Sequence, residues 1–184
     1  MTGRPCVFFD RDGIVNRSPG PGYVERVEDF HLLPEFVDAL RVVAAKDYAA
    51  VIVTNQRGVA LGRLSRTTLD AMHGLLKDRL RALGLELLDI FVCTADDNSH
   101  PDRKPNPGML LAAARRHGLD LARSWMVGDH ERDVEAGRRA GCRTVRVGDP
   151  GEPSAADYRV DDMRGLAGFL EARLPGASRP PAGS

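Results

Sequence analysis

Apolar residues fall along this chain in short runs that break off at polar residues, and the runs alternate with stretches of helical periodicity. Val7-Phe8-Phe9 is apolar on both faces, as expected of a strand buried inside a sheet, and it stops at Asp10-Arg11-Asp12-Gly13. Pro34 fits the first turn of a helix carrying Phe36, Val37, Leu40, Val43 and Ala44 at helical spacing. Ala49 to Thr54 reads as a second strand. Ser65 is a good cap for a long amphipathic helix with Leu69, Met72, Leu75, Leu76, Leu80 and Leu83, closed by Gly84. Leu88 to Thr94 reads as a third strand, and a helix opened by Pro107 runs through His117 to a stop at Gly118. Ser124 to Val127 is a fourth strand ending at Gly128-Asp129, followed by a helix from Glu131 to Ala140 and a fifth strand from Arg143 to Val147. Tyr158-Arg159-Val160 reads as a sixth, edge strand, and Asp162 caps a last helix to about Arg173.

Strands alternating with helices predict an α/β domain, a Rossmann-like doubly wound parallel sheet covered on both faces, over residues 1–174. The segment Pro175 to Ser184, rich in Pro, Gly, Ser and Ala, is expected to be a disordered tail.

Composition narrows the partners. The 184 residues carry 26 Lys plus Arg and 26 Asp plus Glu, so bulk charge points to neither nucleic acid nor a membrane surface. No apolar run approaches the roughly 20 residues of a membrane span, and the start lacks a signal-peptide pattern. Cys6, Cys93 and Cys142 are scattered in apolar surroundings and read as reduced cysteines of a cytoplasmic protein.

The polar residues that end each strand share one rim if the sheet is parallel. Asp10 and Asp12 follow the first strand, Thr54 the second, Arg103-Lys104-Pro105 the third after a loop, and Asp129 with Asp133 the fourth. Carboxylates gathered there suit a hard cation with oxygen ligands, most simply Mg²⁺. A lysine and a hydroxyl beside it make a place for a phosphoryl group. Residue by residue, other readings stay open: Asp129 could cap the following helix, Asp133 could be solvated, and Lys104 could lie on the surface.

Together these segments resemble the four motifs of the haloacid dehalogenase superfamily, over residues 7–148 and in the right order. Within it, Pro21-Gly22-Tyr23-Val24, Thr54-Asn55-Gln56-Arg57-Gly58 and Arg103-Lys104-Pro105-Asn106-Pro107-Gly108-Met109 are similar to small phosphatases acting on heptose bisphosphate or histidinol phosphate. The resemblance implies a Mg²⁺-dependent phosphomonoesterase working through an aspartyl phosphate. Asp10 would be the nucleophile, Asp12 the acid–base group, and Thr54 with Lys104 the holders of the phosphoryl oxygens. The metal would sit on Asp10, the Asp12 backbone carbonyl and Asp129, with Asp133 orienting Lys104 or a metal-bound water. Arg11, Asn16, Tyr23, Asn55, Gln56 and Arg103 would contact substrate, a small phosphorylated metabolite.

The chain departs from many such relatives in three places. Their zinc loop, with one histidine and three cysteines, corresponds to Cys93 through Arg103, which offers only Cys93 and His100, so no structural zinc is expected. That shortened loop should be held by its prolines or be mobile. His130 stands where a lysine is common, and Leu61 where a basic residue is common. No segment is long enough for a cap domain, so the site should be open, on a monomer or weak homo-oligomer.

Overall fold

A computed structural model describes residues 3–176; residues 177–184 of the expected tail lie outside the described residues. Strands β1 (Cys6–Phe9), β2 (Ala49–Asn55), β3 (Asp89–Cys93), β4 (Trp125–Gly128), β5 (Arg143–Val147) and β6 (Tyr158–Val160) form one sheet in the order β3-β2-β1-β4-β5-β6. Every pair is parallel. Helices α1 (Pro34–Ala45), α2 (Arg66–Ala82), α3 (Gly108–His117), α4 (Glu131–Ala140) and α5 (Met163–Arg173) complete the α/β architecture that the alternation predicts.

The period-two alternation of β1 separates the two cores. Val7 and Phe9 face one layer with Leu40 of α1, Leu69, Met72 and Leu76 of α2, and Leu166 and Leu170 of α5. Cys6 and Phe8 face the other, with Met109, Leu110 and Ala113 of α3 and Ala136 and Ala140 of α4. All four β1 residues are fully buried, which is why the strand reads as a continuous apolar run. Phe9 meets Phe36 edge to face at 5.2 Å, seating α1 against the central strand.

The helix boundaries follow local chemistry. The Ser65 hydroxyl accepts the Thr68 amide at 2.9 Å, and Asp162 accepts the Arg164 amide at 2.9 Å. Gly118 and Gly141 end α3 and α4 in the left-handed conformation. The cap of α4 is His130 rather than Asp129: its ring accepts the Arg132 amide while Asp133 accepts the His130 amide, a reciprocal capping box. Asp129 is thereby left for other work.

Strand order sets the position of the site. The chain runs from β1 outward to β2 and β3, then returns to the other side of β1 as β4. Between the carboxyl ends of β1 and β4 the connections leave in opposite directions and open a crevice, where doubly wound sheets bind ligands. Asp10 follows β1 there, and Asp129 follows β4. Between β1 and α1 the chain is loop with one short 3₁₀ turn (Val27–Asp29), and residues 94–107 are loop, so neither insertion forms a separate cap among the described residues.

Candidate active site

Lys104 is the centre of the constellation. Its side chain is wholly buried, and Nζ lies 2.7 Å from Asp10 Oδ1, 2.8 Å from the Val53 carbonyl and 2.7 Å from Asp133 Oδ1. Two of its N–H groups donate to Asp10 and the Val53 carbonyl, and Asp133 adds an ion pair at 2.7 Å. Asp133 spends its other oxygen on the His130 amide at 3.1 Å, so it clamps Lys104 and caps α4 at once.

Acid outnumbers base in this cluster. Asp10, Asp129 and Asp133 each bring a carboxylate oxygen within 4.8 Å of the others, against one ammonium. Burial, then repulsion from Asp10 and Asp133, pushes the Asp129 carboxyl up to about 7. Burial and then Asp133 likewise raise Asp10, although Lys104 opposes them. Burial alone would lower Lys104, but Asp10 and Asp133 outweigh it and hold its ammonium above the usual lysine range. Excess buried negative charge of this kind fits a divalent cation bound through Asp10 and Asp129, the two carboxylates that Asp133's double engagement leaves available.

Two glycines make the close approach possible. A Cβ on Gly13, whose φ is +90°, would lie 2.0 Å from Asp129 Oδ2, so the turn after β1 can touch the β4 carboxylate only without a side chain. A Cβ on Gly128 would come within 2.3 Å of the Asp133 Cβ. The turn itself is wound on the Arg11 carbonyl, which accepts from Val15 at 2.7 Å and Asn16 at 3.1 Å.

Asp12 stands beside this cluster with its carboxylate held by three side chains. Arg11 Nη2 donates to Oδ1 at 2.9 Å, Asn16 Nδ2 donates to Oδ1 at 2.9 Å, and Gln56 Nε2 donates to Oδ2 at 3.0 Å. Gln56 Nε2 also donates to Thr54 Oγ1 at 2.9 Å, which leaves the Thr54 hydroxyl proton to point at an incoming acceptor.

Arg11, Asn16, Asn55 and Gln56, the expected substrate contacts, have side chains that bond within the protein. Arg11 has no exposed surface, and Asn16 and Gln56 are buried. Asn16 keeps its amide nitrogen on Asp12 and on the Arg17 carbonyl even though its own Oδ1 is buried without a partner among the described residues. Asn55 holds the Lys104 backbone through Nδ2 to the carbonyl and Oδ1 from the amide, both at 3.0 Å. Such donors at a strand end are equally suited to bonding a ligand or a neighbouring catalytic group, so residue type cannot separate the two.

Tyr23 and Arg103 stay at the rim, both half-buried. Tyr23 packs over Gly58 beside the exposed Arg57–Asp96 ion pair, and Arg103 is tethered to Asn98 and the Ala95 carbonyl, each at 3.0 Å. The loop that carries Arg103 is held by polar bonds rather than by its prolines. Asn106 donates to the Asn98 and His100 carbonyls, and the Asp102 amide donates to His100 Nδ1. Cys93 Sγ lies 3.8 Å from His100 Nδ1, while Cys6 and Cys142 are buried in the core away from that loop. His73 was missed from the sequence: it touches Arg11 at 3.3 Å from the apolar face of α2. A histidine within the stripe of Leu69, Met72, Leu76 and Leu80 was the available signal.

A concavity of about 710 Å³, lined in part by Arg4, Tyr48, Arg123, Trp125 and Arg143, lies at the opposite end of the sheet from the carboxylates.

Comparison with known proteins agrees with this geometry. Residues 102–164 match a family model described as "HAD-hyrolase-like". A D-glycero-D-manno-heptose-1,7-bisphosphate 7-phosphatase of Thermosynechococcus vestitus is 35% identical, over 93% of this chain and 97% of the relative. The D-glycero-beta-D-manno-heptose-1,7-bisphosphate 7-phosphatase of Escherichia coli K12 is 32% identical, over 88% and 91%. The crystal structure of the D,D-heptose 1,7-bisphosphate phosphatase of B. bronchiseptica, complexed with magnesium and phosphate, superposes with a TM-score of 0.80 at 31% identity, covering 90% of this chain and 97% of that one. With its doubly wound sheet, its Asp10–Lys104–Asp133 core and near full-length similarity to these enzymes, the chain belongs to the haloacid dehalogenase-like phosphatase family.

Proposed function

We propose that this phosphatase removes the 7-phosphate of D-glycero-D-manno-heptose 1,7-bisphosphate, using Mg²⁺ and an aspartyl-phosphate intermediate, within one domain over residues 1–174. The observation that carries the reaction is the convergence of Asp10, Asp129 and Asp133 around buried Lys104 at the β1/β4 crevice. The substrate rests on likeness to relatives so named, one of them 35% identical over nearly its whole length.

In this reading Asp10, the Asp12 backbone carbonyl and Asp129 hold the cation, whose charge offsets that of the phosphoryl group. An Asp10 oxygen attacks phosphorus, the bond from phosphorus to the sugar oxygen breaks, and Asp12 gives that oxygen a proton. Asp12 then takes a proton from water as the water oxygen attacks phosphorus, and the bond to Asp10 breaks to free phosphate. Lys104 steadies Asp10 with its charge, and the Thr54 hydroxyl donates to a phosphoryl oxygen. In this reading the half-buried Tyr23 and Arg103 contact the sugar. The protein acts in this reading on a small metabolite in the cytoplasm, as a monomer or weak homo-oligomer, without nucleic acid.

The test is phosphate release with Mg²⁺ from both anomers of the heptose bisphosphate, histidinol phosphate, other sugar phosphates and a 3′-phosphorylated oligonucleotide, with Asp10→Asn as control. A preference of about a hundredfold for a heptose bisphosphate, near 2.7 kcal/mol of transition-state discrimination, is expected. Even, weak activity across the panel would discard the heptose and keep the phosphatase. Release by Asp10→Asn at the wild-type rate would remove Asp10 as nucleophile.

A further inference from the structure

The sequence of events above uses Asp12 but leaves unexplained the side chain that grips it hardest. The Arg11 guanidinium has no solvent-exposed surface. Its Nε and Nη2 reach Asp12 Oδ1 at 3.2 and 2.9 Å, and Nη2 also reaches Oδ2 at 3.2 Å. Phe30 lies against its face, with the guanidinium carbon 5.7 Å from the ring centroid. The remaining nitrogen, Nη1, lies 3.3 Å from Nε2 of His73, a residue 62 positions away on α2.

Donor logic assigns the state of that contact. A guanidinium has only donors, so His73 Nε2 must accept, and the imidazole is neutral with its proton on Nδ1. An imidazolium in the same place would set two cations face to face. A neutral acceptor satisfies the buried N–H without cancelling its charge, so the whole guanidinium charge stays directed at Asp12. A carboxylate in place of His73 would divide it.

We propose that His73, acting through Arg11, is a positioning residue that fixes the orientation of the Asp12 carboxylate for proton transfer. The proposal rests on the phosphatase reading above. Arg11 is a long, flexible side chain, and its hold on Asp12 is only as definite as the anchor at its far end. His73 supplies that anchor from a face of α2 whose neighbours Leu69, Met72, Leu76 and Leu80 are buried in the core. The acid–base group, whose side chain is 27% exposed at the crevice, is thereby tied to the packed interior.

Comparing His73→Leu with His73→Gln in the full chain tests this. The glutamine side-chain oxygen can still accept from Nη1; leucine cannot. Phosphate release is measured with Mg²⁺ from a sugar phosphate, whose alkoxide needs a proton to leave, and from p-nitrophenyl phosphate, whose phenolate does not. His73→Leu should lose about ten- to hundredfold in kcat/KM, which reports the first transfer, on the sugar phosphate and far less on the aryl phosphate, while kcat falls on both because Asp12 also serves the shared hydrolysis of the intermediate. His73→Gln should recover most of the loss. Equal losses of kcat/KM on both substrates, no loss at all, or a glutamine variant as poor as the leucine one would overturn the positioning role.

Nitrogen-15 NMR of the wild-type imidazole gives a readout independent of turnover and of the variants' folding. The Nδ1–H tautomer with Nε2 accepting is expected; the opposite tautomer, or an imidazolium at neutral pH, would overturn the proposal. A wild-type protein inactive on every phosphate but showing the expected tautomer would remove the phosphatase reading while leaving the Arg11 anchor in place.

Discussion

Asn55 and Lys104 hold each other by a reciprocal pair of hydrogen bonds, the Asn55 amide donating to the Lys104 carbonyl and the Lys104 amide donating to the Asn55 oxygen, each at 3.0 Å. The pair joins the end of β2 to the loop before α3, 49 residues further on, and it aims the lysine into the site. Lys104 lies in a loop rather than in a helix or strand, so nothing regular fixes its backbone. Asn55→Ala should therefore leave a partly buried amide and carbonyl unpaired and destabilise the protein by about 1–3 kcal/mol. With Lys104 displaced from Asp10, kcat should fall by roughly a hundredfold. Thermal unfolding together with phosphate release checks both, and wild-type kcat in this variant would sink the assignment.

Gly13 and Asp129 meet so closely that an added Cβ would lie 2.0 Å from the carboxylate. Gly13→Ala must move the turn or swing Asp129 away from Asp10, and it is strained as well at φ +90°. The variant should unfold at lower temperature, by about 1–3 kcal/mol of stability, and bind Mg²⁺ at least about tenfold more weakly. Calorimetric titration with Mg²⁺ reads this directly, and unchanged affinity would show that Asp129 is not a ligand.

His73 also predicts an acid-side loss of stability. Burial first, then the Arg11 charge, lowers its imidazole to about 4, from an ordinary value of 6.5. Asp70 and Asp12 oppose that shift, and Lys77 adds to it. The unfolded chain takes up the proton first as pH falls, so the neutral imidazole contributes full stability above the ordinary value and loses it between there and the folded value. The loss should approach ~3 kcal/mol by pH 4. Denaturant unfolding from pH 7 to 4, with His73→Gln as the non-titrating reference, isolates it. Parallel pH curves for the two proteins would refute the prediction.

Metal analysis of the purified protein should find no stoichiometric zinc. Zinc in a structural site takes four ligands. The loop after β3 brings together Cys93 and His100, whose Nδ1 already accepts the Asp102 amide at 3.2 Å. One zinc per chain would require that loop to rearrange and would contradict the reading.

Asp10→Asn should retain the fold and lose turnover by roughly 10⁴-fold or more. Its carboxylate is the attacking group in the mechanism, and it meets Lys104 at 2.7 Å. An amide keeps an oxygen for that contact but is a poor nucleophile. Substantial residual activity with an unchanged circular dichroism spectrum would overturn the role of Asp10.

The strands and helices were legible because their signals are local. Val7-Phe8-Phe9 is apolar on both faces because both faces of β1 are covered, and Ser65, Asp162, Gly118 and Gly141 mark helix ends through bonds and backbone conformations within a turn of themselves. Asp10, Thr54 and Asp129 were legible for a related reason. Each follows a buried strand, and parallel strands carry their carboxyl ends to one rim. His130 was not read as the cap of α4, because Asp129 beside it was the better capping residue by type, and its approach to Gly13 is a tertiary fact.

The order of apolar and polar residues determined, by itself, that this chain would fold as a parallel α/β sheet with acids, a hydroxyl and a lysine along one edge. What only the tertiary structure decided is which polar groups face outward to a ligand and which turn inward to hold the ones that do. Gln56 and Arg11 have the chemistry of substrate contacts, yet one bonds the carboxylate of a residue 44 positions earlier and the other is anchored 62 positions later, on α2. Hydrogen-bond donors carry no mark of their partner. The partner is chosen by which groups packing brings within about 3 Å in a low-dielectric interior, where leaving either one unpaired costs more than the bond itself returns.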